Sequence, residues 1–253
     1  MEFSFPPHTI RVNMPDAGEL LTEVRRRMRD GDGYALATIN LDHLVKLSRD
    51  PAFRQSYAAQ DLVCADGNPI VWLSRIARRP VSLVSGSDMV LPLAALAARQ
   101  NIPVAFVGST EEALAQAANA MKDAVPGLTI AARIAPPMGF DPEGEDAAII
   151  LDQLVKSGAG LVFVALGAPK QEAFAALGRK LAPRLGFASI GASLDFLAGR
   201  QTRAPQWVRT IAMEWAWRML SNPRRLFKRY AECALILPGY AVQAVRQRSG
   251  TVG

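Results

Sequence analysis

The residues best placed to do chemistry are the run Gly167-Ala168-Pro169-Lys170-Gln171-Glu172, which follows the apolar, strand-like stretch Leu161-Val162-Phe163-Val164-Ala165-Leu166. In open α/β sheets ligands bind beyond the carboxyl ends of strands. A helix that starts there turns unpaired backbone N–H groups towards an anion such as a diphosphate. Pro169 suits the first helical turn, and Lys170 and Gln171 add side-chain donors. Taken alone, the hexapeptide is equally a plain helix start with solvated side chains. Asp66-Gly67 follows a second apolar stretch, Leu62-Val63-Cys64-Ala65. Glycine lets chain and ligand approach closely there, so the carboxylate is a candidate general base, although an ordinary Asp-Gly turn reads the same way. Thr38 and Asn40 close a third stretch, Tyr34-Ala35-Leu36-Ala37-Thr38-Ile39, and offer hydrogen bonds to a sugar or nucleotide. Asn40 equally caps the helix that follows. Asp195, between Leu194 and Phe196, needs a partner for its carboxylate, either structural or a ligand hydroxyl.

These residues require a frame that brings strand ends together, and the chain reads as one. A first helix is predicted from Asp16, with Glu19 completing a capping box and Leu21, Val24 and Met28 on one face; Arg25, Arg26, Arg27 and Arg29 form a solvated face. Val104-Ala105-Phe106-Val107 ends at Gly108 and is followed by Ser109-Thr110-Glu111-Glu112, a second capping box. Asp141-Pro142 is expected to cap the next helix, and Ala188-Ser189-Ile190 runs into Gly191-Ala192-Ser193. Strand, glycine and capped helix repeat at least three times, which implies a Rossmann-like α/β fold with a largely parallel sheet, flanking helices and right-handed connections.

With 253 residues, half of them hydrophobic, the chain can bury a substantial core. Its first residues have neither a basic start nor a long apolar run, so no export signal is expected. Cys64 and Cys233 are isolated from each other and from histidine, which points to reduced packing residues and away from a structural zinc site. Asp30-Gly31-Asp32 imitates an Asp-x-Asp metal motif but reads better as a glycine-terminated helix end. His43, among apolar helical positions, reads as a satisfied histidine, not as a catalyst. There is no GxGxxG or GxxxxGK[ST] pattern, which weakens dinucleotide and P-loop readings. The net charge of +6 resides entirely in residues 207–253, where eight basic residues face two acids. We therefore expect an α/β domain over 1–206 and a basic, aromatic helical appendage over 207–253 that addresses an anionic surface or substrate.

In order, Thr38-Ile39-Asn40, Asp66-Gly67, Gly86-Ser87-Asp88, Phe106-Val107-Gly108, Gly139-Phe140, the hexapeptide from Gly167, Asp195, Gly199, Arg203-Ala204-Pro205-Gln206-Trp207 and Glu214-Trp215 with Arg218 resemble the WecG/TagA/CpsF glycosyltransferase family. The resemblance runs from about Tyr34 to Tyr230. It implies an inverting, metal-independent transfer from a UDP-sugar to a saccharide on polyprenyl diphosphate, in cell-surface polysaccharide synthesis, with no cofactor. By position Asp66 matches the proposed general base and Thr38 and Asn40 match polar pocket residues. Gln171 and Asp195 match further functional polar positions. Gly108, Gly167, Lys170, Glu172, Arg203, Arg218, Arg225 and Arg229 complete the expected substrate-binding set. The resemblance departs at Leu83-Val84-Ser85-Gly86, where the family commonly carries an arginine, so Arg78 or Arg79 is a candidate replacement.

A carboxylate that takes the proton of an acceptor hydroxyl makes in-line attack at the anomeric carbon feasible. The charge that builds on the departing diphosphate is then met by helix N-termini, amides and arginines. In the tail, Asn222-Pro223 fits a helix start, which would place Arg225 and Arg229 on one face and Arg224 and Lys228 on another. The apolar run from Ala231 contains Glu232 and is expected to break at Pro238-Gly239. It is too short to span a bilayer but suits its interface, placing the protein peripherally on the cytoplasmic face of the membrane. Packing of Trp215, Trp217, Met219 and Leu220 onto the core is the alternative. Homo-oligomerisation is compatible with the sequence. A membrane adaptor, a nucleic-acid binder and a nucleotide-dependent oxidoreductase are the rival classes. The neutral body, which lacks a basic groove, counts against nucleic acid.

Overall fold

The computed structural model describes residues 1–199 and 223–248, together with Trp217 and Met219. A hairpin, β1 (Glu2–Phe5) and β2 (His8–Arg11), precedes α1 (Ala17–Asp30), β3 (Tyr34–Ile39), α2 (Leu41–Arg49), α3 (Pro51–Ala58) and β4 (Leu62–Ala65). There follow α4 (Asn68–Ile76), α5 (Gly86–Arg99), β5 (Val104–Gly108), α6 (Glu111–Ala124), β6 (Ile130–Ile134) and α7 (Glu145–Lys156). The series closes with β7 (Leu161–Ala165), α8 (Lys170–Leu181), β8 (Gly186–Ser189), α9 (Ser193–Leu197) and the long α10 (Pro223–Arg248).

Six strands form one sheet in the order β4-β3-β8-β7-β5-β6, every neighbouring pair parallel. Alternating side chains of each strand face opposite layers. Val104 and Phe106 of β5 enter a core with α1, α5 and α6, whereas Ala105 and Val107 enter one with α7 and α8. This is the doubly covered α/β arrangement expected from the repeats, with buried strands that read as unbroken apolar runs. A third core, around Phe3, Phe53 and Ile70, joins the hairpin, α2, α3 and α4 to Ala244 of α10.

Local signals act largely as read. Asp16 accepts the Glu19 N–H at 2.9 Å and starts α1, and Gly31, at φ 72°, ends it in the left-handed conformation. The metal-like Asp30 and Asp32 instead bind Arg26 at 3.1 and 3.3 Å. The arginine face of α1 is thus tied to carboxylates, Arg27 reaching Glu23 at 2.7 Å.

Three boundaries differ. Gly144 is the cap residue of α7, while Asp141 accepts the Glu143 N–H at 3.0 Å in a turn before it. Pro169 precedes α8 as its cap residue, following a cis Ala168-Pro169 bond, and so lies just outside the first turn. The helix α10 runs on through Pro238, although proline removes one ladder donor. Ile236, Leu237, Tyr240 and Ala241 there pack against the third core, whose burial offsets that loss.

Candidate active site

The carboxyl ends of the strands carry a row of residues: the expected Asp66 after β4, Thr38 and Asn40 at β3, Gly167 to Gln171 after β7 and Gly108 at β5, joined by Gly191 after β8 and Ser109 after β5. From β7 the chain turns back through α8 towards β8, and from β5 it leaves the other way through α6 towards β6. The β7/β5 junction is therefore a topological switch point, the place where such sheets open a ligand crevice. A cleft of about 180 Å³ lies there, lined by Ser109, Pro136, Pro137, Gly139, Phe140, Ala165, Leu166 and Lys170.

At the other end of the row Thr38 Oγ1 stands 3.5 Å from Asp66 Oδ2. Parallel pairing of β3 with β4 sets this meeting, because Thr38 and Ile39 lie opposite Cys64 and Ala65. The Asp66 N–H donates to the Ile39 carbonyl at 2.8 Å, and Gly67, at φ 93°, turns the chain into α4. The carboxylate is thereby held half-buried on the rim. Asn40 acts as the cap alternative requires: its Oδ1 accepts the His43 N–H at 3.0 Å and starts α2.

The turn after β5 explains Gly108. Its φ is 114°, and a Cβ at this position would lie 2.4 Å from the Ala165 carbonyl oxygen, so glycine lets β5 and β7 approach at the cleft floor. Ser109 follows with φ 58°, uncommon for a residue other than glycine, and donates its hydroxyl to Asp195 Oδ1 at 2.6 Å. Helix α6 is capped by Thr110, not Ser109, through a 3.3 Å bond from the Ala113 N–H. Sequence reading missed the Ser109–Asp195 pair; the signal was a serine directly after a strand-end glycine.

The hexapeptide divides its work. Gly167, at φ 72°, makes the turn, and exposed Lys170 donates to the Phe140 carbonyl at 2.6 Å across the cleft. Gln171 and Glu172, expected to touch substrate, point inwards. Gln171 Oε1 accepts the Gly191 N–H at 3.0 Å and its Nε2 donates to Glu172 Oε1 at 2.8 Å, while Glu172 is completely enclosed. Burial pushes the Glu172 carboxyl up to about 7. His43, also buried, is driven down to about 3 by desolvation and meets Tyr57 Oη through Nδ1 at 3.2 Å, which makes it a satisfied neutral core histidine. Cys64 and Cys233 are free and buried, their thiols raised to about 12 and about 11 by desolvation.

Of the expected arginines, only the side chain of Arg229 lies among the described residues. Arg229 binds Asp42 of α2 at 3.0 Å, and Arg49 binds Glu232 at 3.1 Å, so α10 is tied to α2 beside Pro169. Lys46, between them, donates to the Ala168 carbonyl at 3.1 Å and pairs with Asp42 at 2.9 Å. A second cleft, about 320 Å³, opens between these charged groups and Pro169. Arg79 lies 3.7 Å from Glu2. The Ser85 hydroxyl caps α5 and meets Asp88 Oδ2 at 2.6 Å. Arg203 and Arg218 lie outside the described residues, as does the side chain of Arg225. Among the described residues no three His, Cys, Asp or Glu side chains converge as a metal set, and no helix is long and apolar enough to cross a membrane.

The chain is similar to N-acetylglucosaminyldiphosphoundecaprenol N-acetyl-beta-D-mannosaminyltransferase of Bacillus spizizenii strain W23, 29% identical over 195 residues that span 76% of this chain and 73% of the relative. The protein of the same name from Bacillus subtilis strain 168 is 26% identical over 217 residues, 85% of this chain and 80% of its own. The sequence model described as "Glycosyl transferase WecG/TagA/CpsF family" matches residues 7–251. The chain therefore belongs to the WecG/TagA/CpsF family of glycosyl transferases.

Proposed function

We propose that this protein transfers a sugar from a UDP-activated donor to a saccharide carried on polyprenyl diphosphate, with inversion and without a metal ion, as a step in cell-surface polysaccharide synthesis. The observation that carries the reading is the half-buried Asp66 carboxylate at the strand ends, 3.5 Å from the Thr38 hydroxyl. Asp66 accepts the acceptor's hydroxyl proton as that oxygen attacks the anomeric carbon; a single in-line displacement inverts the centre. Thr38 orients the carboxylate, and Asn40, as a cap, holds the β3 turn. The departing diphosphate is met by Lys170 and the amides of the Gly167 turn, which face the developing charge. Asp195, steadied by Ser109, is placed to meet a donor hydroxyl. Arg203, together with Arg218, Arg225 and Arg229 of the C-terminal appendage, residues 207–253, supplies further charge to diphosphate or lipid headgroups at the cytoplasmic membrane face.

The first substrates to test are those in the relatives' names: an N-acetylmannosaminyl donor, as its UDP derivative, and N-acetylglucosaminyl-diphosphoundecaprenol. Product formation in EDTA, with a loss of 100-fold or more in kcat for Asp66→Asn at unchanged folding, is the expected result. Full turnover by Asp66→Asn would remove the proposed base; transfer restored only by a divalent ion would remove metal independence.

A further inference from the structure

We infer that Glu172 is a positioning residue for this site: its carboxyl fixes the orientation of the Gln171 carboxamide, which holds the turn after β8 against the turn after β7. The inference rests on the glycosyl-transfer reading only for the use made of these turns.

A carboxamide is nearly symmetric in shape but not in hydrogen bonding, so its neighbours decide which end is which. With Gln171 Oε1 on the Gly191 N–H and Nε2 on Glu172 Oε1, both contacts join a donor to an acceptor, at 3.0 and 2.8 Å. Rotated by half a turn, the carboxamide would set N–H against N–H at Gly191 and oxygen against oxygen at Glu172. Gly191 opposes that state at one contact and Glu172 at the other, so the acid supplies the second of two bonds that select one orientation. The clamped turn leads through Ser193 into α9, which carries Asp195 and thereby reaches Ser109. Strand ends of β7, β8 and β5 are thus coupled through one interior pair.

Glu172 is an expensive residue for packing alone. It is fully enclosed, and its Oε2 meets no hydrogen-bond donor. Gln60, just after α3, donates to its backbone carbonyl at 3.0 Å and not to the carboxyl. The charged and titratable groups facing it are Lys46 from α2 and Tyr57 from α3, with Cys64 and Asp66 beyond Tyr57. Lys46 is engaged with Asp42 and the Ala168 carbonyl, and the Tyr57 hydroxyl with His43. Burial therefore favours the neutral acid up to about pH 7, and ionisation above that leaves a bare oxygen in the interior. Ionisation strengthens the acceptor for Gln171 Nε2 while leaving Oε2 charged and unpaired, so the pair changes with pH near neutrality.

The test compares the wild type with Glu172→Gln, Glu172→Ala, Gln171→Ala and the double alanine variant. The readouts are amide exchange of Gly191 by NMR and turnover of the UDP-sugar and polyprenyl-diphosphate acceptor between pH 5.5 and 8.5. Glu172→Ala should raise Gly191 exchange at least tenfold while β7 amides stay protected. It should also lower kcat at least tenfold, and the double variant should lose no more than Gln171→Ala. Glu172→Gln keeps the acceptor oxygen, so it should restore Gly191 protection to within threefold and remove the neutral-pH limb from both readouts. A protected Gly191 in Glu172→Ala, or losses that multiply in the double variant, overturns the inference. Should Glu172→Ala not fold, an unchanged neutral limb in Glu172→Gln overturns it instead. Absence of wild-type turnover tells against the transfer reading alone, since the exchange measurement needs no substrate.

Discussion

Two interior residues titrate in opposite senses and should shape stability against pH. Burial holds Glu172 at about 7, above its ordinary 4.5, so between these values the unfolded chain has released a proton that the folded one keeps, and stability falls as pH rises. His43 is held at about 3, below its ordinary 6.5, so over that range the unfolded chain binds the extra proton and stability rises with pH. The two slopes, each about 1.4 kcal/mol per pH unit, oppose each other between 4.5 and 6.5. Relative to wild type, Glu172→Gln should therefore gain stability with rising pH in this window and His43→Gln should lose it, as read from urea midpoints. A common tilt in both variants would contradict the assignment. Gly108 supplies a separate test. Alanine there combines a positive φ with a Cβ 2.4 Å from the Ala165 oxygen, so Gly108→Ala should cost about 3 kcal/mol or more and disturb the cleft. The Gly108 requirement was legible as a strand-end glycine. That Glu172 faces inwards was not, because the spacing of a helix start does not tell which side of its first turn the core will cover.

At the scale of elements, α10 decides how the tail meets the body. Its exposed ion pairs, Arg229 with Asp42 and Arg49 with Glu232, should each contribute no more than about 1 kcal/mol. Apolar contact should dominate: Tyr240 meets the Phe3 ring edge-on at 5.6 Å, and Ile236 and Leu237 pack on the same core. Tyr240→Ala should then loosen α10 and the β1–β2 hairpin together, by about 2–4 kcal/mol in hydrogen exchange, whereas Arg229→Ala with Arg49→Ala should change exchange only slightly. The reverse ranking would mean that charge, not packing, docks the helix. Element types were readable where one rule dominated. The apolar runs of β3, β4, β5 and β7 and the caps Asp16 and Asn40 sit where the spacing put them, while the cap of α6 falls one residue later, at Thr110. The edge strand β6 and the β1–β2 hairpin were not readable. A half-buried run such as Ile130–Ile134 lacks the unbroken apolar signature, and the hairpin is buried in a core that includes Phe53 and Ile70 and packs against Tyr240, more than 200 residues away.

For the whole molecule, the outer side of α10 presents Phe227, Leu235, Val242 and Val245 to solvent, with Lys228, Arg246 and Arg248 also exposed. Anionic phospholipid vesicles should co-sediment with the protein, less so as salt rises, and replacing these three cations by glutamate should lower binding by tenfold or more. Equal binding to neutral vesicles, with no effect of salt, would remove the electrostatic anchor. The sequence by itself determined the alternation of strands and helices, the concentration of net charge in the tail, the isolation of the two cysteines and the strand-end positions of Thr38, Asp66 and Gly167. These are local or additive properties, set by side-chain period, turn chemistry and counting. Only the tertiary structure decided the strand order, and with it that Thr38 meets Asp66, that a cleft opens between β7 and β5, that Ser109 reaches Asp195, and that Gln171 and Glu172 turn inwards to Gly191. Such pairings join residues from 20 to 86 positions apart. They are selected by burial of both faces of a whole sheet, a quantity that no local stretch of sequence contains.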